Sequence, residues 1–176
     1  MAKPKLKLKF FSSWDDGGKF DGKLADLLLY YGLPGTFFIP SQCNLELEQI
    51  LEIAKNFEIG GHTVSHFQNL KLLDDDFLKA EILDNKIWLE EILGKKVTQF
   101  CYPRGRFDDR IIQAVKAAGS NYNYFHLWGH SAEIDKFKQW TNLENFFVWL
   151  KRNYDLQFET LDELCLSRTS KTPSTK

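Results

Sequence analysis

Two short segments of this sequence carry residue types that could do chemistry together. His62-Thr63-Val64-Ser65-His66 places two imidazoles four residues apart, which brings both to one face of a helical turn or tight loop, where a single metal ion can be held. The same spacing occurs in metalloproteases of the His-Glu-x-x-His type, whose glutamate is the general base. Here that position is Thr63, so the base must come from elsewhere. Asp15-Asp16 is the available source. Adjacent carboxylates at a strand end point in different directions, so one can bind an ion while the other faces a substrate. Two histidines and one aspartate leave a coordination position open for water and a substrate oxygen, as a hydrolytic zinc site requires. Each segment alone has a plainer reading: a pair of core or surface histidines, and an Asp-Asp-Gly-Gly turn. Their joint occurrence, each beside a glycine pair, favours a shared site.

The elements that would position these residues alternate along the chain. Residues 1–11 alternate Lys5, Lys7 and Lys9 with Leu6, Leu8 and Phe10, a period of two that predicts a strand with a solvated lysine face. Leu24, Leu27, Leu28 and Tyr31 recur at helical spacing before the stop signals Gly32 and Pro34. A buried strand is expected over 36–39, a helix marked by Leu47, Ile50, Leu51 and Ala54, then a strand over 57–59 and a turn at Gly60-Gly61. The next helix should be capped by Asp74 and run to Gly94, followed by a strand over 97–102. Ile111, Ala114, Val115 and Ala118 mark a further helix, and an aromatic strand follows over 122–128. Thr141 and Glu144 form a capping-box pattern opening a helix with Leu143, Phe146, Phe147 and Leu150 on one face, and a last strand is expected over 157–160. Such alternation predicts an α/β fold with a mainly parallel sheet, doubly wound or barrel-like, whose function gathers at the C-terminal strand ends. Those ends carry Asp15 and Asp16, His62 and His66, Arg104 and Arg106, and His130.

With 176 residues and 43% hydrophobic content, the chain has apolar mass for one domain, placed at 1–166, ahead of a polar tail over 167–176 expected to be disordered. A formal net charge of −1 gives no field for nucleic acid or a polybasic membrane contact. No run approaches the roughly 20 apolar residues of a membrane span, and the period-two N-terminus is unlike a signal peptide. Cys43, Cys101 and Cys165 are widely spaced and lack a CxxC pair, so neither a disulfide framework nor a thiolate zinc knot is expected, and a cytoplasmic location fits. The aromatic share of 15% suits a groove that stacks on sugar rings.

Four segments resemble the motifs of the polysaccharide deacetylases, the NodB-type homology domain of carbohydrate esterase family four. They are Ser13-Trp14-Asp15-Asp16-Gly17, Glu58 through His66, Phe100-Cys101-Tyr102-Pro103-Arg104-Gly105 and Phe125 through Ser131. The resemblance implies an irregular (β/α) barrel and a metal-dependent hydrolase removing acetyl groups from N- or O-acetylated saccharides. It also implies that Asp16, His62 and His66 bind Zn²⁺ or another divalent ion such as Co²⁺ or Mn²⁺. Asp15 would be the general base and His130 the acid that protonates the departing amine. A backbone N–H near Arg104, in the Pro103-Arg104 segment, would hold the oxyanion, and Trp14 and Trp128 would flank the acetyl pocket or lie in the core. His126 is read as a core or surface residue. Two departures accompany the resemblance. Cys101 stands where the family often has an arginine paired with the catalytic aspartate, a role Arg104 or Arg106 could take instead. Only 20 residues separate Gly105 from His126, too few for the strands that carry the groups orienting the catalytic histidine. An incomplete barrel, a weakly held His130, low turnover and a homodimer across the open side are the resulting expectations. The rival readings are a non-catalytic metal- or carbohydrate-binding relative and a hydrolase of a non-sugar amide.

Overall fold

The structure, a computed structural model, describes residues 5–105 and 124–158. Its centre is β1 (Leu6–Asp15), long enough to serve three parallel partners. Residues 13–15 pair with β2 (Thr36–Ile39), 9–14 with β4 (Tyr124–Gly129) and 6–10 with β5 (Tyr154–Phe158), while β2 also pairs with β3 (Glu58–Gly61). The five strands form one sheet ordered β3-β2-β1-β4, with β5 beside β1. It curls into a half-barrel, the incomplete barrel that the shortened chain predicts. Because all pairings are parallel, the strands' C-terminal ends gather on one side, the side that carries Asp15, Asp16, His62, His66 and His130.

The helices α1 (Asp21–Tyr31), α2 (Leu47–Ala54), α3 (Asp75–Leu93), α4 (Ser131–Lys136) and α5 (Trp140–Asn153) are the connections between strands and the cover over the sheet. Leu24 and Leu28 of α1, Ile50 and Ile53 of α2, Leu89 of α3, and Phe147 and Leu150 of α5 bury against Phe10, Trp14, Phe37 and Ile39 of the sheet. The strand over 36–39 matches the expected bounds. So do the helix stops: Gly32 and Gly94 both adopt the left-handed conformation that glycine enters without steric cost, at φ 60° and 63°. Asp74 caps α3, its Oδ1 accepting from the Phe77 N–H at 2.9 Å.

Several expectations are corrected. Residues 97–102 make one parallel bridge, Gly61 to Phe100, rather than a strand. At the segment's start the Val97 N–H donates to Glu90 Oε1 and the Lys86 ammonium to the Val97 carbonyl, so α3 side chains take the backbone groups a ladder would use. Gly60 and Gly61 are strand residues of β3, not a turn; a Cβ on Gly60 would lie 2.4 Å from the Phe38 ring. Helix α5 begins at Trp140, so Thr141 lies inside it and its capping box does not form. The box occurs instead at α2, where Glu46 and Gln49 reciprocate. That helix buries Ile50 and Ile53 and leaves Leu47 and Leu51 exposed, a face rotated from the expected stripe. The last strand lies over 154–158, earlier than expected. The expected helix around Ile111 to Ala118 and the tail over 167–176 fall outside the described residues. Among the described residues, no helix is long and apolar enough to cross a membrane.

Candidate metal centre and its cavity

At the end of β1 the backbone turns through Asp16 at φ 80° and Gly17 at φ 57°. A Cβ on Gly17 would sit 2.7 Å from Cys43 Cβ, so the glycine both permits the turn and lets the Cys43 loop close over it. The turn swings the Asp16 carboxylate towards the end of β3, where His62 and His66 project. Their Nε2 atoms lie 3.3 and 3.0 Å from Asp16 Oδ1, and the three prospective ligand atoms fall within 4.8 Å of one another. His62 is 1% exposed. Its Nδ1 is 2.8 Å from the Cys101 carbonyl, which can only accept; Nδ1–H therefore donates and the bare Nε2 faces Asp16. Asp16 Oδ1 is buried and neither imidazole is in hydrogen-bond alignment with it. Three lone-pair donors converge on a point instead of bonding one another. Two nitrogens and one carboxylate oxygen are a donor set suited to Zn²⁺ or a similar divalent ion, so the residues present fit the group.

Burial alone would raise the Asp16 carboxyl, but His62, His130 and His66 outweigh it and hold the group below the usual carboxylate range. Asp15 behaves in the opposite way: burial raises it, and His62 and His130 offset this only in part. Its neighbour is the Cys101 thiol, 3.6 Å from Oδ2. Burial and the Asp15 charge push that thiol up, so it stays protonated and donates. No ion pair joins Arg104 to Asp15 among the described residues, and the Arg106 alternative lies outside them. His130, the N-cap of α4, sits with Nε2 3.5 Å from Asp16 Oδ2 and Nδ1 3.2 Å from Glu133 Oε2. Glu133, in the first turn of α4, is thus a group within reach of His130, whereas the segment on which the expected loss of orienting groups rests, 106–123, lies outside the described residues. Three-residue spacing across a helix start was the sequence signal for that pair.

These groups line a cavity of about 720 Å³, whose described walls also include Ser13, Arg104, His126 and Trp128. Trp14 is not among them: at 2% exposure it is core, its indole N–H donating to Ser12 Oγ at 3.0 Å. Pro103 is buried outside the lining. Arg104 is exposed at the rim, with a left-handed φ of 62°. Trp128 is 63% exposed and stands edge-on to His130, with ring centroids 6.1 Å apart. His126 is exposed, as its surface reading expects, and forms part of the cavity wall, stacked on Phe11 at 4.3 Å with Nε2 2.9 Å from Ser13 Oγ. Strand alternation carries that signal, since residues 126, 128 and 130 share a side.

A family profile described as polysaccharide deacetylase matches residues 3–123. Among proteins of curated function, none matches significantly. Solved structures do. A family 4 carbohydrate esterase from Bacillus anthracis superposes with a TM-score of 0.64 at 21% identity, over 93% of this chain and 84% of that one. The catalytic domain of a peptidoglycan N-acetylglucosamine deacetylase from Eubacterium rectale ATCC 33656 gives 0.62 at 16%, over 91% of each chain. A mutant of BA3943, described as a CE4 family pseudoenzyme with restored enzymatic activity, gives 0.64 at 17%, over 91% of this chain and 67% of that one.

Proposed function

Because the chain belongs to the polysaccharide deacetylase family, we propose that it is a metal-dependent hydrolase that removes acetyl groups from N-acetylated, or O-acetylated, saccharides. The observation that carries this reading is the convergence of Asp16, His62 and His66 in one cavity wall beside Asp15 and His130. Those three residues would hold a divalent ion, which when bound polarises an acyl carbonyl and makes water more acidic. Asp15 takes the proton of the attacking water; its burial keeps it a stronger base than a solvated aspartate, an effect that the hydrogen bond from the Cys101 thiol offsets in part. The water oxygen adds to the acyl carbon, the C–N bond breaks, and His130 gives its proton to the departing nitrogen, leaving acetate and a free amine. Glu133, with Oε2 3.2 Å from Nδ1, orients the His130 ring. A backbone N–H near Arg104 serves the oxyanion, and the exposed face of Trp128 receives the sugar.

A second reading, a chain that binds metal and saccharide without turnover, is favoured by one observation: Asp15 is met by a cysteine and by no guanidinium among the described residues. Acetate release from an acetylated glucosamine oligomer, measured with chelator and then with added Zn²⁺ or Co²⁺, separates the two. Metal-restored release supports the hydrolase. Metal uptake without release supports the binder.

A further inference from the structure

The metal-ligand loop is held in a conformation its own residues disfavour. Thr63, a β-branched residue, has φ 71°, and His66 has φ 54°; both lie in the left-handed region that residues other than glycine seldom enter. Such a backbone persists only where its surroundings over-determine it. On one side Ser41 and Gln42 donate their N–H groups to the carbonyls of Thr63 and Val64, at 3.2 and 2.9 Å. The other side is supplied by two residues of α3, Glu81 and Asn85, one helical turn apart and therefore on one face.

Asn85 is fully buried and grips the loop's entry. Its Oδ1 accepts from the His62 N–H at 2.9 Å, while Nδ2 donates to the Ile39 carbonyl at 3.1 Å and to Ser41 Oγ at 3.0 Å. A Cβ on Gly61 would lie 2.9 Å from that Oδ1, so the glycine before His62 is what lets the amide approach. Glu81 grips the loop's far half. Its backbone carbonyl accepts from the Val64 N–H at 3.0 Å, and its carboxylate accepts from the Ser65 N–H at 2.9 Å and the Ser65 hydroxyl at 2.6 Å. Between them the two residues reach His62, Val64 and Ser65, within the five-residue span that carries both imidazoles.

We infer that Glu81 and Asn85 are positioning residues for the metal centre, a clamp on α3 that sets the separation and direction of the His62 and His66 rings. The inference rests on the metal reading of the site. Neither residue touches the cavity; they act through the backbone, as outer-shell partners of ligands do, and losing such partners typically weakens metal affinity roughly 10- to 100-fold.

The test titrates the metal-free full chain with Zn²⁺ and records the absorption spectrum of the Co²⁺ form, for wild type, Glu81→Ala and Glu81→Gln. Glu81→Ala should bind zinc at least about 10-fold more weakly and shift the cobalt bands, while the metal-free melting temperature stays near wild type. Glu81→Gln keeps an acceptor for Ser65 and should recover most of the affinity. Zinc affinity and cobalt spectrum unchanged in Glu81→Ala would overturn the clamp. If Glu81→Ala does not fold, Ser65→Ala carries the test on an exposed residue: several-fold weaker zinc supports the clamp and unchanged affinity overturns it. A wild-type chain that takes up neither ion overturns the metal reading and the clamp together, whereas metal uptake without acetate release leaves the clamp standing and sinks only the hydrolase.

Discussion

At the residue scale, the site divides into groups with separable tasks. Replacing Asp16, His62 or His66 with alanine removes one of the three proposed ligands, and each variant should lose stoichiometric zinc by elemental analysis. Asp15→Asn should keep the metal and lower acetate release by roughly 10²- to 10⁴-fold, the usual worth of a positioned base, because an amide cannot accept the proton. Asp21, fully buried at the start of α1, gives a stability prediction. Burial raises its pKa to about 7, offset in part by the nearby Ser131 hydroxyl and the Gly18 N–H. A carboxyl whose folded pKa lies above its unfolded value of 3.8 binds protons more tightly in the folded state. Its contribution is therefore fully present below pH 4 and lost as pH rises through about 7. Asp21→Asn should leave the metal-free melting temperature near wild type at pH 4 to 5 and raise it relative to wild type at pH 8. Equal melting curves at both pH values would contradict the assignment.

At the element scale, the parallel alternation was legible in the sequence because helix stripes and strand runs have distinct periods, and Gly32, Asp74 and Gly94 marked their ends. What misled were local signals overridden by tertiary contacts. The capping box at Thr141 lost to a helix that starts earlier, and at the start of 97–102 the Val97 backbone groups are taken by Glu90 and Lys86, leaving a single bridge to Gly61. Within the site, the motif residues were readable, but their supports were not. Glu81 and Asn85 reach the His62–Ser65 segment across packed elements and left no local trace, whereas Glu133 lies three residues from His130 in the same helix start and its spacing did. The Asp74 cap is an isolated local interaction, and Asp74→Ala should cost about 1 kcal/mol of stability in a denaturant titration, with metal affinity unchanged. A loss of metal affinity there would show that α3 transmits its N-terminal order to the clamp.

At the scale of the whole molecule, β4 and β3 end the described sheet, and the half-barrel places Trp128 on the open cavity rim. A saccharide approaching there meets an aromatic face first, so Trp128→Ala should raise KM several-fold with kcat little changed, stacking being worth about 1 kcal/mol. An open barrel side also motivates the homodimer proposed from the sequence, which light scattering tests. Under the proposed function, a cavity built on Asp15, Asp16, His62, His66 and His130 hydrolyses an acetylated saccharide when a divalent ion is held there. The most direct measurement is acetate release from an acetylated glucosamine oligomer by chelator-treated protein, titrated with Zn²⁺ and run beside Asp15→Asn. On the proposed function, release saturates at one ion per chain and collapses in Asp15→Asn although that variant binds the same ion. Release that is independent of added ion, or undiminished in Asp15→Asn, would contradict it.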